Sequence, residues 1–212
     1  MAIYFQSTQN TRGGRLACYV QAIKSAETCR CGWKKLTIIV GGEKTGVNEF
    51  PMMAGLVDAI IVQVFCGTVI ISNIYTVLIR MQFFSMVGFI KFTNEIGPAC
   101  LPFHHNRDSF SGAVVEIPGW GATEFAGPTL NILKKVRVSV INLSKCLLTF
   151  PNLVDSQMGA LGQGTDACQF DSGGPVLWEN PTSGRLVNVG IISYGIACGT
   201  KNPSVNIRVS AL

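Results

Sequence analysis

From residue 55 to residue 79 the chain is almost continuously apolar: Ala59-Ile60-Ile61-Val62-Gln63-Val64-Phe65-Cys66-Gly67-Thr68-Val69-Ile70-Ile71, then Ser72-Asn73, then Ile74-Tyr75-Thr76-Val77-Leu78-Ile79. A membrane-crossing helix needs about 20 apolar residues. This stretch reaches that length only by including Gln63, Ser72 and Asn73. Its β-branched residues and the turn signal at Ser72-Asn73 predict buried strands and no membrane span. Alternating apolar and polar positions predict further strands at 13–23 and 130–141. A single strand at 13–23 cannot fold alone, so residues 1–24 are expected to be a tail, the remnant of an upstream domain. Residues 25–38 are expected to be a linker. The start, Met1-Ala2-Ile3-Tyr4-Phe5-Gln6-Ser7, lacks the basic residue and long apolar run of a signal peptide. The sequence is therefore expected to begin internally.

Composition sharpens this picture. The chain has 212 residues, enough for one sizeable core or two small barrels sharing a cleft. The 23 glycines and nine prolines fit many short strands joined by turns. The net charge is +5 without any Lys/Arg run, so no nucleic-acid partner is expected. Eight cysteines without a paired CxxC pattern suggest disulfides and an oxidising compartment. Only two histidines are present, which makes metal binding the poorer reading. No metal or other cofactor is expected.

The chemistry is concentrated in Asp166-Ala167-Cys168-Gln169-Phe170-Asp171-Ser172-Gly173-Gly174-Pro175. Glycines allow positive φ and close approach of another chain. A serine held in such a turn presents its hydroxyl and its own N–H to one point, which suits a nucleophile whose oxyanion must be held by N–H donors. With an acidic residue, a cysteine and an aspartate before the serine, the run resembles the nucleophile segment of chymotrypsin-like (trypsin-type) serine proteases. Ile39-Val40-Gly41-Gly42, followed by Asn48-Glu49-Phe50-Pro51, is similar to the mature start of the same family.

The resemblance implies an all-β fold, an incomplete version of the double six-stranded barrel, with the C-terminal barrel better preserved. It covers residues 39–212 as the peptidase domain. It implies Ser172 as nucleophile, with the N–H groups of Phe170 and Ser172 as oxyanion hole. The family generally has glycine at the Phe170 position. The resemblance also implies Asp166 as the acid that selects arginine or lysine, and Ser193, Tyr194 and Gly195 as the strand that pairs with substrate backbone. Ser204 stands in the pocket wall where the family has glycine. The α-amino group of Ile39, once freed, would pair with Asp171. The residues before that bond, Thr37-Ile38, lack the family's basic residue.

Two catalytic segments are missing. The strand at Tyr75–Ile79 runs into Arg80-Met81-Gln82-Phe83-Phe84, where the family has its histidine, and no aspartate segment precedes Phe89-Ile90-Lys91-Phe92. One deletion of several dozen residues near 79–89 accounts for both. His104 and His105 fall in a loop that the family keeps away from its cleft. The resemblance implies disulfides Cys168–Cys198 and Cys100 to Cys29 or Cys31. It leaves Cys66 and Cys146 without partners, the latter because glycine stands near Met158-Gly159. The family's C-terminal helix is absent from this sequence. Residues 13–23 are similar to the last strand of a CUB domain.

Three readings follow: a secreted endopeptidase, a non-catalytic homologue acting as a binding or regulatory module, and a truncated or mis-assembled version of an active protease gene. The last ranks first. The expected partner is a polypeptide substrate or a partner protein, the expected state a monomer, and the expected location extracellular.

Overall fold

Strand β10, Leu186–Tyr194, is apolar on both faces because both faces are covered. Val187, Val189 and Ile192 point into one core with Val115, Ile117, Val138, Val140, Met158, Ala160 and Val176. Leu186 and Ile191 point the other way, into a second core with Phe50, Met52, Val69 and Leu177. A register irregularity between Asn188 and Gly190 shifts the alternation part-way along. One strand thus fills a barrel and cements that barrel to its neighbour.

The computed structural model describes residues 2–3, 30–35, 45–58, 60, 63–77, 83–85, 88–121, 130, 132–162, 172–196 and 202–211. The barrel is closed and wholly antiparallel, in the order β10-β11-β8-β7-β6-β9. Its other strands are β6 (Val114–Gly119), β7 (Lys134–Ile141), β8 (Gln157–Leu161), β9 (Pro175–Glu179) and β11 (Ser204–Arg208). Closure removes sheet edges that would otherwise be left unpaired. A one-turn helix, α1 (Leu143–Leu147), follows β7, started by the Asn142 side chain accepting the Ser144 N–H.

The second sheet is open and five-stranded, in the order β1-β2-β3-β4-β5. It comprises β1 (Ala2–Ile3), β2 (Met53–Asp58), β3 (Gln63–Ile70), β4 (Tyr75–Val77) and β5 (Phe83–Ser85). The apolar stretch therefore takes in the end of β2, then β3 and β4, as its composition predicts, and no helix among the described residues is long and apolar enough to cross a membrane. The fold is all-β, with one complete barrel and one incomplete one. The strand predicted at 13–23 lies outside the described residues.

Residues 30–35 are docked on the barrel and on the loop at 94–100. Cys31 is bonded to Cys100, which decides between the two candidate cysteines. The Gly32 N–H donates to the Pro98 carbonyl at 2.8 Å, and the Leu186 N–H donates to the Gly32 carbonyl at 2.7 Å. The Trp33 indole lies against Gly97 and donates to the Asn94 carbonyl at 3.1 Å. Lys34 bonds the buried Glu116 carboxylate at 2.5 Å and lies 3.5 Å from the buried Glu49. Lys135 bonds the same Glu49 oxygen, and Arg137 holds the other oxygen of Glu116.

This network has a pH signature. Burial pushes the Glu116 carboxyl upward, but the hydrogen bonds and charges of Lys34 and Arg137 outweigh it, so its pKa lies below the usual carboxylate range. A depressed carboxylate adds stability that is fully present above its unfolded pKa, about 4.3 for Glu. That stability is lost as pH falls through the lower folded value. Thermal midpoints should decline on acidification below pH ~4.3, and Glu116→Gln should flatten that decline relative to the parent chain.

Candidate active site

Ser172 sits in the turn before β9, where Gly173 takes φ +87°. The turn is pinned on two sides. The Gly173 N–H donates to the Ile192 carbonyl at 2.9 Å, and the Ile192 N–H donates back to the Gly174 carbonyl at 2.9 Å. From the second sheet, the Gly67 N–H (3.2 Å) and the Cys66 S–H (2.7 Å) both donate to the Ser172 carbonyl. The serine thus stands where β3 of one sheet meets β10 of the other, in the crevice between the two layers.

The Ser172 hydroxyl is half-buried and donates to the Ser193 carbonyl at 3.4 Å. Ser193, Tyr194 and Gly195 follow at the end of β10. The Tyr194 ring is 46% exposed and meets Phe150 edge-on at 5.6 Å. That aromatic pair is not foreseen from sequence, because Phe150 comes from the loop after α1. A Cβ at Gly195 would lie 3.8 Å from the Ser204 Cα and 3.9 Å from its Cβ, so Ser204 backs this edge. Ser204 is itself buried. Its hydroxyl donates to the Ala160 carbonyl at 3.2 Å and accepts from Asn206 Nδ2 at 3.4 Å. The structure therefore brings together Ser172, Ser193, Tyr194, Gly195 and Ser204. Ile39, Asp166, Phe170, Asp171, Cys29, Cys168 and Cys198 lie outside the described residues.

The histidines are elsewhere. His105 Nδ1 bonds the Asp108 carboxylate at 2.7 Å, and its ring packs edge-on to Trp178 at 5.1 Å. Trp178 lies three residues into β9, roughly 10 Å beyond the strand's start, and Ser172 precedes that start. His104 is exposed in the same short 3₁₀ turn, Phe103–His105. Neither can serve Ser172, as the loop position of both implies.

The two cysteines expected to have lost their partners are free and buried. Burial pushes the Cys66 thiol up to about 11, so it remains a neutral donor to Ser172. Burial also raises the Cys146 thiol. A Cβ built on Gly159 would lie 2.6 Å from the Cys146 Sγ and 3.2 Å from its Cβ, close to disulfide spacing. Glycine therefore stands opposite Cys146, where a partner cysteine would fit. Gly159→Cys should close a bridge around a loop of about 15 residues and add up to ~3 kcal/mol. Ile141 Cγ1, 2.9 Å from the new Cβ, must give way and will reduce that gain. Intact-mass measurement under oxidising conditions should show two hydrogens lost, with a higher melting temperature that a reductant reverses.

A closed antiparallel barrel, a second β-sheet and a Ser-Gly-Gly turn between them agree with what homology detects. The model of the Trypsin family matches residues 84–212. The chain belongs to the trypsin family of serine proteases. It is 35% identical to venom serine protease 34 of Apis mellifera, over an alignment of 275 positions that takes in all of this chain and 68% of that protein. It is 28% identical to a venom serine protease of Polistes dominula, covering 87% of this chain and 86% of that one. To the clotting factor G beta subunit of Tachypleus tridentatus it is 33% identical, over 58% of this chain and 44% of that subunit. The described part of the site holds Ser172 and the strand end Ser193–Gly195, to which the family resemblance assigns the nucleophile and the substrate-pairing edge.

Proposed function

We propose that this chain is a catalytically silent member of a secreted trypsin-like endopeptidase lineage whose chemistry is cleavage after arginine or lysine. The observation that carries this reading is the hydrogen bond of Ser172. Its hydroxyl donates to the Ser193 carbonyl at 3.4 Å, and a carbonyl cannot accept the proton that nucleophilic attack must release. A general base must lie within about 2.6–3.2 Å of that oxygen. The sequence holds two histidines, and both sit on the far loop. The alignment with the Apis mellifera protease, 275 positions against 212 residues here, agrees with several dozen residues being missing in total, and the sequence pattern is what puts the deletion near 79–89.

Asp166 supports basic specificity, since the family resemblance assigns it to the base of the specificity pocket and a carboxylate there would favour a cationic side chain over leaving itself unpaired. Ser204, larger than glycine, would narrow that pocket. Thr37-Ile38 before Ile39 offers no basic bond to a trypsin-like activator. The organisation proposed is a remnant at 1–24, a linker at 25–38 and a peptidase domain at 39–212, monomeric. An extracellular location is supported by the Cys31–Cys100 bridge and by relatives named for venom and clotting.

A second reading, a non-catalytic homologue that binds a partner polypeptide, is favoured by the closed barrel and the half-exposed Tyr194 beside Ser193 and Gly195. An extended peptide could add to that edge as a further strand. Labelling with a fluorophosphonate probe tests silence at the serine itself. Ser172 should remain unmodified under conditions that label trypsin to completion, and a Ser172 adduct found by peptide mapping would sink the proposal. The full-length transcript, sequenced from Gly32 to beyond Leu212, separates a mis-assembled gene product from a true deletion. If it joins Ile79 to Phe89 as here, the deletion belongs to the protein.

A further inference from the structure

Far from the serine, the end of β11 borders a cavity of about 200 Å³ whose polar lining is Ser109, Ser111, Asn142, Asp155, Gln157 and Arg208. Arg208 pairs with Gly190, four residues before Tyr194 on β10, so the cavity lies ~13 Å along the strand from the serine end. Nothing in the protease chemistry uses it.

Three acceptor atoms of this lining are already engaged, while the Asp155 carboxylate at its rim is not among the described residues. Asn142 Oδ1 accepts the Ser144 N–H at 2.9 Å. Gln157 Oε1 accepts the Val154 N–H at 3.1 Å. Ser109 Oγ accepts the Ser111 N–H at 3.3 Å. These bonds fix which end of each amide is oxygen, and they leave the NH₂ groups of Asn142 and Gln157 unspent. Arg208 spends Nη2 on the Asp155 backbone carbonyl at 2.6 Å. Its Nε is buried and has no partner among the described residues. A guanidinium, two amide NH₂ groups and two hydroxyls are thus free to donate around one small space. The single acid in the lining, Asp155, is exposed.

We infer that this cavity is a binding site for a small oxyanion, held by Arg208 and the unspent donors of Asn142, Gln157, Ser109 and Ser111. Charge-assisted hydrogen bonds from a fixed guanidinium suit sulfate, phosphate or a carboxylate, which supply acceptors without competing donors. An occupant would tie α1 and the start of β8 to the end of β11.

Titrating the ¹⁵N-labelled chain with sodium sulfate, against sodium chloride at matched ionic strength, tests the site directly. Phosphate and acetate titrations then distinguish the tetrahedral from the planar oxyanion. Saturable shifts should appear at the Asn142 and Gln157 side-chain amides and at the Ser111 N–H. Two variants keep the fold's own bonds while reversing the cavity's polarity. Asn142→Asp still accepts from Ser144, and Gln157→Glu still accepts from Val154, yet each puts a carboxylate where a donor stood. Each should weaken sulfate by at least about tenfold, while Asp155→Asn should strengthen it severalfold. A well-dispersed spectrum certifies each variant as folded, and if one unfolds the other carries the test. Shifts that are linear in salt, equal in chloride, or unchanged in a folded Asn142→Asp or Gln157→Glu chain would overturn the inference.

Discussion

Incubated with an arginyl ester or peptide amide, the purified chain will release product no faster than its Ser172→Ala variant. Attack by a hydroxyl on a carbonyl requires a partner that takes the proton as the bond forms. Among the described residues the Ser172 hydroxyl bonds the Ser193 carbonyl at 3.4 Å, which accepts a hydrogen bond and takes no proton. The imidazole of His105 is committed to Asp108 and packed on Trp178 at the far end of β9. In a serine protease dissected residue by residue, losing the histidine alone cost a factor of about 10⁶ in turnover. What survives such losses, the oxyanion donors and substrate binding, gives only roughly 10³-fold over water. By the family resemblance one of those donors would be the N–H of Phe170, at a position where the family generally has glycine. The expected rate is therefore at or below assay background. A rate that vanishes on Ser172→Ala would mean that some other group accepts the proton, and the reading of this site would have to change.

The parts of the fold with regular repetition were legible in the sequence. The alternating run beginning at Leu130 contains β7, whose ladder starts at Lys134, opposite Gly119, while the end of β10 was marked by its resemblance to the family's substrate-pairing strand. The Ser-Gly-Gly run marked the turn, because only glycine takes the positive φ found at Gly173 without strain. Gly159 marked the unpaired state of Cys146. What periodicity cannot encode was missed. The helix α1 has five residues, too short for a 3.6-residue repeat, and only its Asn142 cap could have announced it. The pairing of β1 rests on two residues running parallel to Gly55 and Leu56, with no pattern of their own. The contact of Phe150 with Tyr194 joins elements 44 positions apart in the chain, a loop-to-strand meeting that no local signal predicts. The choice between Cys29 and Cys31 turns on the path of the backbone at Gly32, which is a matter of tertiary packing.

That path supplies the largest expected effect on stability. Gly32→Ala should destabilise the fold by at least about 3–4 kcal/mol, in the range reserved for severe packing or backbone lesions. Two costs combine. Gly32 has φ +64°, a left-handed conformation that costs an L-residue about 1–2 kcal/mol. In addition, a Cβ there would overlap the Leu186 carbonyl oxygen and approach the Cys100 Sγ to 2.8 Å. The first obstacle is backbone and the second a bridged sulfur, so neither can swing aside as the end of a flexible side chain would. Relief requires breaking the paired bonds among Gly32, Pro98 and Leu186, and with them the seating of Trp33 on Gly97 and of Lys34 on Glu116. Gly184 provides the control. It has nearly the same angle, φ +63°, but nothing lies within 4 Å of its Cβ position, so Gly184→Ala should cost only the backbone strain of about 1–2 kcal/mol. Chemical denaturation of the two variants, together with the rate at which a thiol reductant opens Cys31–Cys100, separates the contributions. Docked as described, the linker shields that bridge. Gly32→Ala should expose it to rapid reduction, while Gly184→Ala leaves it protected. Equal stability losses in the two variants would mean that residues 30–35 contribute little to the fold beyond their disulfide.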